Sequence, residues 1–82
     1  MAENLIWNVV LIDDEEDIRE VMSVTLEDAG YRVTTAPDGK TGLERCEAIR
    51  PEIVITDVRM PGMDGLQVLE TLKNQLPEIE VI

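Results

Sequence analysis

The sequence has no histidine and no phenylalanine, and Trp7 and Tyr31 are its two aromatic residues. Without histidine the usual imidazole base and the commonest zinc ligand are missing, and one thiol, Cys46, does not make a ligand set. A single cysteine also excludes an internal disulfide, which leads us to expect a reduced, cytoplasmic protein. Positive charge is scarce as well. Seven Lys and Arg against eighteen Asp and Glu give a net charge of −11, which repels nucleic-acid phosphates and anionic lipid headgroups. No direct nucleic-acid binding by this segment is expected. Acidic Glu3 stands where a secretory leader would carry positive charge, and no apolar run approaches a bilayer span, so no membrane role is expected either.

What is present suits one small domain over residues 1–82, with Val, Ile and Leu as the core residues. Val9-Val10-Leu11-Ile12 is a continuous apolar run, the pattern of a strand buried on both faces of a parallel sheet. From Glu15 to Ala29, Ile18, Val21, Met22, Leu26 and Ala29 recur at helical spacing, interrupted by Thr25, and Gly30 sits at the C-terminal cap position. Tyr31–Thr35 is β-branched and less apolar, as suits a strand nearer the sheet edge.

Asp38-Gly39 opens a second helix with Leu43, Cys46 and Ile49 on its apolar face, ended by Arg50-Pro51. Ile53-Val54-Ile55 is a third buried strand running into Asp57. After the loop Arg59–Gly65, Asp64 is a candidate N-cap for a third helix carrying Leu66, Leu69, Leu72 and Leu76, and Glu80-Val81-Ile82 begins a fourth strand. The alternation of strand and helix predicts an open α/β fold with parallel strands, right-handed crossovers and helices on both faces.

In such a sheet ligands bind beyond the carboxyl ends of the strands, which directs attention to the residues after Ile12 and Ile55. They are Asp13-Asp14 and Asp57. Two carboxylates about 4 Å apart repel by roughly 4 kcal/mol at an effective dielectric near 20, a cost that a proton or a cation relieves. An all-oxygen donor set favours a hard cation, and magnesium fits best because it keeps waters and completes its octahedron with phosphate oxygens. A plainer explanation exists for Asp13–Asp17, since an acidic run at a helix N-terminus complements the macrodipole by itself. Asp57, at the end of a separate apolar strand, is what that explanation leaves out. A calcium loop is discounted, because Ile18 occupies the position where that motif requires glycine.

With Leu11-Ile12-Asp13-Asp14-Glu15 and Asp57-Val58-Arg59-Met60-Pro61-Gly62-Met63-Asp64-Gly65, the chain from Val9 to Ile82 resembles the receiver domain of two-component response regulators. The resemblance implies a flavodoxin-like sheet of strand order 2-1-3-4-5. It implies that Asp57 is the phosphoacceptor for a histidine kinase or phosphotransfer protein. Magnesium would lie among Asp13, Asp14, Asp57 and the backbone carbonyl of Arg59, with Asp14 the direct ligand of the pair and Asp13 acting through water. The family's Ser or Thr after the fourth strand and its Lys after the fifth fall beyond Ile82. The 82 residues therefore read as the N-terminal portion of a receiver domain, without the fifth strand and last two helices. Such a chain by itself would leave apolar sheet surface and a bare fourth-strand edge facing water, so one of two things is expected: the 82 residues are part of a longer chain, or copies associate through the exposed edge and face.

Two other functions stay in view. A magnesium-dependent phosphohydrolase of the haloacid-dehalogenase type also uses an aspartyl nucleophile, but it places an acidic general acid two residues later, where this chain has Arg59. A phosphorylation-independent interaction module would retain the shape and typically lose an acidic residue, whereas Asp13, Asp14 and Asp57 are all present. A signalling phosphoacceptor, not an enzyme, is the leading expectation. Cys46 is expected to be a small core residue, and Met60 and Met63 packing residues.

Overall fold

A computed structural model describes residues 6–56, 68, 70, 71, 73, 74, 80 and 81. Strands β1 (Asn8–Ile12), β2 (Arg32–Ala36), β3 (Ile53–Thr56) and β4 (Glu80–Val81) form one parallel sheet in the order β2-β1-β3-β4. Helices α1 (Glu16–Asp28) and α2 (Gly39–Ile49) connect the first three strands. Between β3 and β4, Val68, Glu70, Thr71, Lys73 and Asn74 are helical. The expected helix cap Asp64 and the apolar positions Leu66, Leu69, Leu72 and Leu76 lie outside the described residues. No helix among the described residues is long and apolar enough to cross a membrane.

The strand order fixes the layering. The chain moves from β1 to β2 on one side and then crosses back to β3 on the other, so right-handed crossovers put α1 and α2 on opposite faces. Side chains alternate along β1: Val10 and Ile12 point to the α2 face, Val9 and Leu11 to the α1 face. On the α2 face a dry core joins Val10, Ile12, Ala36, Leu43, Cys46, Val54 and Val68. The approach there is close, since a Cβ on Gly42 would fall 2.3 Å from Ile12 Cδ1 and 2.6 Å from its Cγ1. Glycine at that position lets α2 settle onto the central strand.

Each helix end has a local cause. The α1 C-terminus closes with a Schellman motif: Tyr31 N–H donates to the Leu26 carbonyl (3.1 Å) and Gly30 N–H to that of Glu27 (3.0 Å), with Gly30 at φ 102°. Asp38 caps α2 by accepting the Thr41 N–H at 2.8 Å. Arg50 ends that helix in the left-handed region (φ 54°), its N–H donating to the Cys46 carbonyl before Pro51 prevents continuation. Thr25, the polar interruption in the α1 stripe, donates its hydroxyl to the Val21 carbonyl at 2.9 Å and so is satisfied within its own helix.

The apolar stripe of α1 is only partly covered: no residue of that helix is buried, Met22 and Leu26 are half-buried, and Ile18 and Val21 are exposed, as is Ala29 beyond its end. A stripe wider than the contact with β1 and β2 leaves part of its apolar surface uncovered.

Candidate functional site

Asp13 and Asp14 follow directly from the carboxyl end of β1, an interior strand flanked by β2 and β3. Three hydrogen bonds hold Asp13: its N–H donates to the Ala36 carbonyl at the end of β2 (3.1 Å), its Oδ1 accepts the Glu15 N–H (2.9 Å), and its carbonyl accepts from Arg19 Nη1 (2.8 Å). The second of these is an Asx turn two residues before the helix cap Glu15, whose own side chain makes no capping bond. Asp13 therefore supplies the amide of the helix cap with its acceptor while sitting half-buried at the carboxyl end of the sheet, and Asp14 beside it is exposed. Glu16 and Asp17 add negative charge in the first turn of α1, where the helix dipole favours it.

The other half of the site follows from register. Ile12 pairs with Thr56, so the strand leading into Asp13 and the strand leading into Asp57 end level with each other. Asp57 and Arg59 themselves lie outside the described residues. Among the described residues no group of three or more metal-binding side chains occurs, and the acidic pair is what the described part of the site contributes.

The donor set fits a hard divalent cation. The pair presents oxygens alone, Asp14 is open to solvent, and the guanidinium of Arg19 is directed to a backbone oxygen rather than to a carboxylate. Arg19 is also the residue that the sequence reading passed over. Its signal was a lone cation within the acidic stretch 13–20, one turn along a helix that begins beside the pair.

Comparison with known proteins is decisive at this point: residues 9–82 match the family described as response regulator receiver domain. The chain belongs to that family. This receiver chain is 37% identical over 67 residues to the alkaline phosphatase synthesis transcriptional regulatory protein PhoP of Bacillus subtilis, covering 82% of this chain and 28% of PhoP. It thus spans less than a third of that relative's length. Among solved structures, the chemotaxis protein CheY4 of Vibrio cholerae superposes with a TM-score of 0.85 at 36% identity, over 90% of this chain and 62% of CheY4. The response regulator TrrA of Thermotoga maritima, solved with Mg2+ and BeF, gives 0.89 at 29% identity, over 93% of this chain and 66% of TrrA. TrrA has also been solved in complex with the histidine kinase ThkA.

The receiver fold expected from the sequence is therefore present over the described residues, including the edge position of β2 and the paired central strands. Cys46 lies in the buried core of the α2 face. Burial pushes the Cys46 thiol up to about 11, with Glu47 adding to the effect, which removes the thiolate that redox chemistry would need.

Proposed function

We propose that Asp57 of this receiver domain accepts a phosphoryl group from a histidine kinase or phosphotransfer protein, in a site where Asp13, Asp14, Asp57 and the Arg59 backbone carbonyl hold Mg2+. The observation that carries this reading is the register of β1 against β3, because Ile12 opposite Thr56 ends the two acid-bearing strands at one level of the sheet. Asp14 would be the direct ligand and Asp13 would act through water, in keeping with its Oδ1 already accepting the Glu15 amide. Bound Mg2+ would supply charge neutralisation for the phosphoryl oxygens.

The chain's own residues do the rest. A carboxylate oxygen of Asp57 forms the new bond to phosphorus as the bond from phosphorus to the donor nitrogen breaks, and that nitrogen keeps the electron pair and takes up a proton. These 82 residues contain no histidine, so the phosphohistidine lies outside them. Asp13 and Asp14, held at the end of an interior strand, keep their geometry while charge shifts. Exposed Ile18, Val21 and Val24 on α1 offer the partner an apolar landing surface beside the acidic pair. The complex of TrrA with ThkA supports a kinase as that partner. On this reading the domain is a signalling switch in the cytoplasm.

The test is to incubate the full-length protein with a small phosphodonor and Mg2+, then reduce the acyl phosphate to a stable derivative. Label is expected on Asp57 and absent from Asp57→Ala. Undiminished labelling of that variant would overturn the assignment.

A further inference from the structure

We propose that Arg19 is a positioning residue for the metal site, fixing the peptide from which Asp14 springs. This inference rests on the phosphoacceptor reading and extends it to a residue that is neither a ligand nor an acceptor. Arg19 Nη1 donates to the Asp13 carbonyl at 2.8 Å in a partly buried contact. That carbonyl and the amide of Asp14 belong to one planar peptide unit, so holding the oxygen sets the plane in which Asp14 begins. The other side of Asp13 is held too: its N–H by Ala36 of β2 and its Oδ1 by the Glu15 amide. Among the described residues, Arg19 adds the one restraint on the Asp13–Asp14 peptide itself. Its own backbone is anchored in the first turn of α1, where its N–H donates to the Glu15 carbonyl at 3.0 Å. Sheet and helix thus grip the acidic residue from both sides, and a charged donor makes that grip stronger than a neutral one would.

The sign of the effect separates this role from a simple electrostatic one. As a bare positive charge, Arg19 would repel a divalent cation, and removing it would tighten binding. As a positioning group, its removal loosens the ligand-bearing peptide and weakens binding, as loss of groups that orient metal ligands commonly does. A purely structural role would lower the melting temperature and leave the affinity of the folded protein unchanged.

The experiment is Mg2+ titration by calorimetry on the full-length protein, with thermal melts of each metal-free variant. Arg19→Met is expected to weaken Mg2+ binding about 10-fold. Arg19→Lys, which keeps the charge and one N–H donor, is expected to stay within about threefold of wild type. Arg19→Gln, a smaller change, should weaken binding in the same direction and replaces Arg19→Met if that variant fails to melt cooperatively. Unchanged or tighter binding in Arg19→Met or Arg19→Gln, with Asp14→Ala still abolishing binding, would overturn the positioning role alone. Absence of Mg2+ binding in the wild type, or undiminished binding in Asp14→Ala, would overturn the metal-site reading and this inference with it.

Discussion

The two faces of the sheet are built from the same strands and are closed to different degrees. On the α2 face Val10, Ile12, Ala36, Cys46 and Val54 are inaccessible to solvent, and Val68 joins them from the next helical segment. On the α1 face Val9 and Leu11 of the central strand are just as buried, but Val33 of β2 and Ile53 and Ile55 of β3 are only half-buried. The helix lying there keeps Val21 at 66% and Val24 at 54% exposure. A strand centre can thus be dry while the layer above it is unfinished, because neighbouring strands and one helix suffice to cover the middle of a sheet. The stability of the described region should accordingly reside on the α2 face, and the apolar surface left for partners on the other.

The largest expected effect tests that division directly. Ile12→Ala removes a fully buried side chain and should cost about 2–5 kcal/mol. Val21→Ala removes a side chain already in water and should change stability by no more than about 0.5 kcal/mol, helped by alanine's helix propensity. Urea denaturation of the two variants of the full-length protein measures both. Comparable losses would mean that the exposed side of α1 is covered in the full-length protein, and the comparison between faces would fail.

Much of this asymmetry could not be read from the sequence, although the strands could. Val9–Ile12 and Ile53–Ile55 are continuous apolar runs, and a run without alternation has few explanations besides burial on both sides, so the central strands were legible, while their order came with the resemblance to receiver domains. The less apolar Tyr31–Thr35 announced an edge strand, and β2 is one; the Thr35 carbonyl, pointing away from β1, is taken by the Arg45 guanidinium, which blunts that edge. Periodicity along α1 was a weaker guide. Spacing records that a helix has an apolar face, not what lies against it, and so it could not show that Ile18 and Val21 of that face are exposed. The acidic pair was legible because it stands at the end of a strand. Arg19 was passed over, because a lone cation in an acidic stretch does not show that the oxygen it meets is a backbone one.

A smaller effect sharpens the account of the closed face. Gly42→Ala should gain up to about 1 kcal/mol from helix propensity. Its Cβ, however, meets Ile12 Cδ1 and Cγ1 well inside contact distance, and overpacking of that kind costs about 1–3 kcal/mol. Net destabilisation is expected. Because Cδ1 is the nearer atom, adding Ile12→Val should recover part of the loss, and a double-mutant cycle measures that coupling. Strict additivity of the two changes would show that α2 shifts as a body instead of pressing on Ile12. In the same core, native Cys46 should react with a thiol reagent at pH 8 far more slowly than in denaturant, since burial opposes thiolate formation. Equal rates would place the thiol at an opening in the α2 face.

The smallest effect concerns how the helix covering the closed face begins. The carboxylate of Asp38 accepts the Thr41 amide at 2.8 Å, and that backbone hydrogen bond, followed by the Thr41 side chain, lowers its pKa below the ordinary 3.8. The folded state therefore holds the ionised form more tightly than the unfolded chain does. Its contribution is fully present above the unfolded pKa and is lost as pH falls through the lowered folded value. Asp38→Asn keeps a side-chain acceptor for the amide and removes the titration. The wild type should be slightly more stable than Asp38→Asn at pH 7, and the difference should shrink as urea denaturation is repeated toward pH 3 and below. A constant difference across that range would mean that the cap acts through hydrogen-bond geometry alone. In that case the α2 face is secured by its dry core, and the charge at the start of its helix contributes nothing further.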